Sequence, residues 1–162
     1  MHAKSLELKH TIHLIEVLSE EVDEIELSIK RIMDEDPSPI LTIPGISCRM
    51  GAMILAEIGD FSRFTSPDQI LASAGLSPST YQSGKLDNAY PHLEKRGSHY
   101  LRFALFIATR FVCNWDLTFA SYLAKKHAEG KYYYVAISHA AKKLVRMIFV
   151  LVRSGQAYSL AT

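Results

Sequence analysis

The chain has only two cysteines, one tryptophan, six prolines and eight glycines among its 162 residues. So little proline and glycine excludes a collagen-like or low-complexity chain. An apolar content of 48% beside 22% charged residues excludes a disordered one. Cys48 and Cys113 fit no metal or disulfide spacing, which points to a reducing compartment. No apolar run approaches the roughly 18 residues of a membrane span, and the longest, Met147 to Val152, is flanked by Arg146 and Arg153. The first 30 residues carry ten charged side chains and no apolar stretch of the signal-peptide kind. What is left is one domain with a core, or a domain with an appendage, and no membrane partner is expected.

The formal net charge of +1 hides a division of sign. Residues 1–36 hold ten acidic side chains against Lys4, Lys9, Lys30 and Arg31, a net of −6. Residues 37–162 hold seven acidic side chains against 14 basic ones, a net of +7. The expected organisation is an acidic arm (1–36) and a basic body (37–162). A basic body is drawn to polyanions, and an acidic arm is repelled by them.

In the arm, Leu8, Thr11, Ile15, Leu18, Val22, Ile25, Ile29 and Ile32 are spaced 3, 4, 3, 4, 3, 4, 3. That is an a/d heptad pattern, and it predicts a coiled-coil helix. Pro37 and Pro39 end it, because the residue before a proline is pushed out of the helical region. A helix over 5–35 would be about 46 Å long at ~1.5 Å per residue, against a radius of gyration of about 14 Å for the body. It is too long to lie wholly on its own body. Pairing with a second copy is the sharper reading, and partial folding onto the domain is the plainer one.

The body opens with Leu41 and Ile43 leading into Pro44-Gly45-Ile46-Ser47, followed by a helix with Ala52, Leu55, Ala56 and Ile58 expected on its buried side. This resembles a helix-hairpin-helix, with Ser47 where the second glycine usually stands. Such a turn offers backbone N–H groups at a helix N-terminus to a phosphate without reading a base. Pro44, Gly45, Ile46, Ser47 and Arg49 are therefore candidate DNA contacts, against a plain αα-hairpin with no ligand. Ser66-Pro67-Asp68-Gln69 reads as a capping box opening a short helix that stops at Gly75. Residues 76–96 then show no period, which is longer than the roughly 12–15 residues of an ordinary connector.

Residues 97–114 are apolar nearly all round and predict the central core helix. Arg102 interrupts it, either paired with Glu94 or binding phosphate near the loop. Asp116 reads as the cap of a helix ending near Gly130. A last helix over Tyr132–Arg153 should bury Ile137, Ala141, Leu144, Ile148 and Leu151. Its His139, Lys142, Lys143, Arg146 and Arg153 fall on another side, as a solvated face or as DNA-backbone contacts. Tyr132 to Tyr134 could stack on bases, but read first as a helix-entry cluster packing into the core. No His, Cys, Asp or Glu set has metal-ligand spacing.

Five segments now stand in order: IPGI (43–46), ILAEIGDFSRF (54–64), AGLSPSTYQSG (74–84), KRGSHYLRFAL (95–105) and KKHAEGKYYYVAISHAAKKLVRMIFVLVRSGQAY (125–158). Together they resemble the C-terminal domain of the DEDD-type insertion-sequence transposases, the one-ten/one-sixteen family, which includes the pilin-gene invertases. The resemblance spans about Ile40 to Tyr158, and the arm resembles the coiled-coil segment of that family. It implies an all-α protein: a long coiled-coil helix, then a compact helical transposase domain with a hairpin motif and a long active-site loop. By its place in Tyr-Gln-Ser-Gly, Ser83 corresponds to the family's serine nucleophile for DNA strand cleavage and exchange.

The same resemblance implies Mg²⁺ in a RuvC-like carboxylate domain that these residues lack, so the chain alone is expected to be an inactive part of a composite enzyme. Implied partners are DNA, further copies through the arm, and a guide RNA for some full-length members. The implied location is the bacterial or archaeal cytoplasm, at the nucleoid. Lys95, Arg96, Arg102, Lys142, Lys143 and Arg146 complete the expected DNA contacts. Two other classes stay open: a DNA-binding module without catalysis, and a coiled-coil assembly protein that binds no DNA.

Overall fold

A computed structural model describes residues 2–77, 82–83, 86–87 and 93–159; for 2, 3, 82, 83, 86 and 87 it describes the backbone alone. Helix α1 (His2–Glu35) forms one compact unit with its flanking residues, Met1–Pro37, and Ser38–Thr162 forms a second. At ~1.5 Å per residue α1 is about 51 Å long. Its Leu8, Ile15, Leu18, Val22, Ile25 and Ile32 are all exposed.

The second unit contains a 3-10 turn η1 (Pro39–Thr42), α2 (Cys48–Ile58), a 3-10 turn η2 (Phe61–Arg63) and α3 (Pro67–Ser73). After a two-residue strand pair, β1 (Gln82–Ser83) and β2 (Leu86–Asp87), come α4 (His99–Trp115), α5 (Leu117–Ala128) and α6 (Tyr133–Ser154). The described residues are thus overwhelmingly α-helical, as the patterning predicts. No single helix among them is long and apolar enough to cross a membrane.

Helix α4 packs against α2, α5 and α6, and α6 also packs against α3 and both 3-10 turns. The α6 face is the one read from sequence: Ile137, Ala141, Leu144, Ile148 and Leu151 are all buried. Helix α4 differs from expectation. It buries Leu101, Ala104, Leu105, Ala108, Val112 and Cys113, but Tyr100, Phe103, Phe111 and Trp115 beside that face are 50–73% exposed. An apolar run cannot by itself reveal that one side lacks a neighbour. Burial pushes the Cys113 thiol up to about 11, so it is a packing group rather than a reactive one.

Helix α2 is rotated from the expected face. Met50, Gly51, Ile54 and Ile58 are buried, while Ala56 is exposed and Ala52 and Leu55 are half-buried. Gly51 packs against η1: a Cβ there would stand 2.6 Å from Leu41 Cδ2, the tip of a side chain that can shift. At α3 neither bond of the expected capping box forms. Ser66 makes no side-chain cap bond, and Gln69 Oε1 accepts instead from the Thr65 N–H at 2.8 Å.

Asp116 sits at the 104° corner between α4 and α5, 2% exposed. Its N–H closes α4 on Val112 O at 2.8 Å, and its Oδ1 caps α5 by accepting from Phe119 N–H at 2.9 Å. Its Oδ2 accepts from the Tyr158 hydroxyl at 2.5 Å, and the Tyr158 N–H donates to Thr42 Oγ1 at 2.7 Å. The segment after α6 is thereby tied both to the corner and to η1.

Asp116→Ala should cost about 2–3 kcal/mol in denaturant unfolding, through a lost cap and a lost buried acceptor. Tyr158→Phe should cost about 1 kcal/mol. Burial, then the bond to Asp116 and its charge, raise the Tyr158 hydroxyl from its usual 10 to about 12. The stabilisation is therefore complete below pH 10 and is lost as pH rises through about 12. An unfolding series over that range should show the loss in the parent and not in Tyr158→Phe.

Candidate nucleic-acid interface

The candidate residues fall into three groups. The first is the turn before α2. Ile46 N–H donates to Ile43 O at 3.1 Å, with Pro44 and then Gly45 at φ +92° between them. That is type II turn geometry, which requires a positive φ at its second central residue. Gly45 is needed twice over, since a Cβ there would lie 2.7 Å from the Phe111 carbonyl carbon and 2.8 Å from Val112 N.

Ser47 caps α2, its Oγ accepting from Met50 N–H at 3.3 Å. The element before the turn is the four-residue η1 rather than a full α-helix, so the hairpin motif has one true helix. Ser47 and Arg49 are exposed, whereas Ile46 is 8% exposed and belongs to the core. Between this turn and α4 lies a concavity of about 410 Å³, lined by Ser47, Arg49, Met50, Ile107, Phe111 and Trp115 among others. A charged rim on an apolar floor is its character.

The second group is the loop that carries Ser83. The sequence gives this stretch no period, yet its ends are zipped together. Glu94 N–H donates to Ser77 O at 3.1 Å, Lys95 N–H to Gly75 O at 3.3 Å, and Ser98 N–H to Ser73 O at 2.8 Å. Gly75 N–H to Ala72 O (2.9 Å) and Leu76 N–H to Leu71 O (2.8 Å) close α3 as a Schellman motif that launches the loop. Gly97, at φ +117°, allows the return strand to press on Ser73 O, 2.2 Å from where a Cβ would be.

Arg102 is half-buried and its Nη1 donates to Ala74 O at 2.9 Å and Lys95 O at 3.4 Å, bridging the two feet; neither acceptor is Glu94. Lys95, at φ +52°, and Arg96 are exposed at the returning foot. Within the loop β1 and β2 pair antiparallel, Gln82 opposite Asp87 and Ser83 opposite Leu86. Residues 78–81, 84–85 and 88–92 lie outside the described residues.

The third group is the polar side of α6. Lys142 is half-buried; burial first, then the Arg146 charge, lower its ammonium below the usual value, with Asp68 opposing. Lys143 Nζ lies over the Phe119 and Tyr122 rings, 4.9 and 5.1 Å from their centroids, a cation–π arrangement. Arg146 Nη2 is 3.2 Å from Asp68 Oδ1, both side chains exposed. His139 joins this side. Burial, then the charges of Lys126, Lys142 and Lys131, hold its imidazole below its ordinary value, with Glu129 opposing.

Taken together, these features define a helical domain with a clamped loop and a cationic side. A family model described as the transposase IS116/IS110/IS902 family matches residues 38–124. The chain belongs to that family. An uncharacterised 43.6 kDa protein of insertion element IS110 from Streptomyces coelicolor is 29% identical over 83% of this chain and 33% of its own length. The transposase of insertion element IS1328 from Yersinia enterocolitica is 29% identical over 88% of this chain and 44% of its own. A pilin gene-inverting protein from Moraxella bovis is 28% identical over 75% and 38%. The chain spans about a third of the length of the curated relatives it matches, 33% and 31% for two of them.

Two glycines test how the first group is built. Gly45 and Gly155 both have positive φ, but a Cβ at Gly155 meets nothing within 4 Å. In denaturant unfolding, Gly155→Ala should cost about 1 kcal/mol, the backbone term alone. Gly45→Ala should cost roughly 2 kcal/mol more, because it also drives a Cβ into α4. Equal costs would contradict the close approach.

Proposed function

We propose that this chain is the DNA-handling part of an insertion-sequence transposase or recombinase and that Ser83 is its nucleophile. The observation that carries the reading is the family match over 38–124, a span that contains the whole Ser83 loop and both of its feet. The backbone bonds and the Arg102 bridge at those feet support it, because strand transfer needs a nucleophile presented from a fixed base. In the proposed step, Ser83 Oγ bonds to a DNA phosphorus as the bond to the 3′ oxygen breaks. The hydroxyl proton departs and the 3′ oxygen gains one. A partner strand's 3′-hydroxyl then reverses the step, so the phosphoester count is conserved and no nucleotide cofactor is consumed.

The turn at 44–49 would take a backbone phosphate at the N-terminus of α2, with Lys95, Arg96, Lys142 and Arg146 as further phosphate contacts. Lys143 and Arg102 enter the reading differently. The first is anchored on rings and the second on carbonyls, so their contributions would come through positioning. The exposed a/d face of α1 would pair with a second copy.

A serine hydroxyl is a weak nucleophile unless activated. Among the described residues no group of three or more His, Cys, Asp or Glu could hold a metal ion. The reading places magnesium in the RuvC-like carboxylate domain of the full-length enzyme and routes no step through these residues.

Trapping tests the proposal. With the carboxylate domain present, a nicked DNA substrate should give a denaturation-resistant adduct that mass spectrometry maps to Ser83. Ser83→Ala should lower adduct formation by roughly 10³-fold or more while leaving DNA affinity unchanged. An adduct that persists in Ser83→Ala would overturn the nucleophile. DNA binding with no adduct at all would favour a binding module without catalysis.

A further inference from the structure

The turn between α5 and α6 is outside the three groups above, and its sequence is unusual: Lys125-Lys126-His127, then Lys131-Tyr132-Tyr133-Tyr134. The tyrosines were expected in the core. Instead Tyr132 is 86% exposed, Tyr134 76% and Tyr133 42%, and the first two are the most exposed aromatic side chains among the described residues. The helices themselves explain the reversal. Tyr132 is the N-cap of α6 and burial begins only at Ala136, so the three rings precede the buried face.

The turn that holds them is well defined. Gly130 N–H donates to His127 O at 2.9 Å and Lys131 N–H to Lys126 O at 3.2 Å, with Gly130 at φ +76°. These are the paired bonds of a Schellman closure. The rings are also ordered against one another. His127 and Tyr133 meet edge-on at 6.0 Å between centroids, and Tyr133 and Tyr134 at 5.5 Å. Water-facing aromatic rings held this way are a binding surface seeking a flat apolar partner.

The charge around them is predominantly positive. Lys125 and Lys131 are exposed, and Lys126 Nζ lies 5.6 Å from the Tyr122 centroid. After burial, the charges of Lys126, Lys142 and Lys131 lower the His139 imidazole, with Glu129 opposing. The carboxylate within the turn, Glu129, is engaged with Lys126 at 2.8 Å. A cationic track with exposed rings at one end matches a strand that offers both phosphates and uncovered base faces. Duplex DNA offers only the phosphates, because its base faces are already stacked.

We propose that Lys125–Tyr134 is a binding site for unpaired DNA, with the lysines on backbone phosphates and Tyr132 and Tyr134 each stacking on a base. The site rests on the reading of the chain as a DNA strand-exchange domain, since exchange exposes unpaired nucleotides. Its role would be to hold a displaced strand.

The test is fluorescence anisotropy of the 162-residue chain with labelled dT20, a duplex of the same length and U20. Tyr132→Ala/Tyr134→Ala should weaken dT20 binding about tenfold or more and change duplex binding less than twofold. Tyr132→Phe/Tyr134→Phe, which keeps the rings, should stay within about twofold of the parent on all three. Lys131→Ala should weaken DNA binding and lower the salt dependence by about one phosphate contact. Unchanged circular dichroism and melting would show that these exposed substitutions leave the fold intact. The proposal is overturned if the alanine pair binds dT20 like the parent, if duplex binding falls equally, or if U20 binds more tightly than dT20. Its failure is distinct from failure of the nucleophile: loss of the Ser83 adduct with dT20 binding intact sinks the chemistry alone, and the reverse pattern sinks this site alone.

Discussion

Asp116 is the constraint on which the second unit turns. A carboxylate that is 2% exposed must be fully partnered, and its partners come from three directions. Phe119 N–H fixes the start of α5, the Tyr158 hydroxyl fixes the segment after α6, and Tyr158 in turn holds Thr42 in η1. The backbone of the same residue closes α4. One side chain therefore sets the corner around which α4, α5 and α6 pack, and ties the first element of the unit to its last. The loop, the α2 turn and the cationic side of α6 all stand on that frame.

The frame keeps its charged groups outward in a definite pattern. The acids of the body are largely taken up by local bonds. Asp60 holds Ser62, with its carboxyl below the usual range through that bond; Glu57 accepts from Ser98; Asp68 faces Arg146; and Glu129 faces Lys126. The 14 basic side chains of residues 37–162 outnumber the seven acidic ones there, and the arm carries the opposite net sign. Same-sign crowding is tolerated at a surface when a polyanion relieves it. That links the charge division to the family to which the chain belongs.

Much of the helical skeleton is legible in the sequence because helix faces and caps are local. The α6 stripe, the Asp116 cap and the stop at Gly75 follow from spacing and residue type. What escapes is whatever depends on a neighbour. The face of α2 is set by its packing on α4 and η1, and the exposure of Tyr100, Phe103, Phe111 and Trp115 on α4 depends on which elements pack there among the described residues. The feet of the loop are joined by backbone groups, which leave no side-chain pattern at all. Arg102 stays open in the sequence between an ion pair and a phosphate contact, because its carbonyl partners leave no pattern there. The tyrosines at 132–134 were assigned to the core on composition, yet they stand one turn ahead of where α6 begins to bury residues. Ser83 comes from resemblance alone, since no rule of spacing would single out one serine in a loop.

The central claim is that the basic body, and not the acidic arm, meets DNA. Lysine-reactivity footprinting of the chain with and without DNA addresses it most directly. The account predicts that DNA slows modification of Lys95, Lys131 and Lys142 severalfold and leaves Lys4, Lys9 and Lys30 unchanged. Protection of the arm lysines, or of none in the body at saturating DNA, would contradict it.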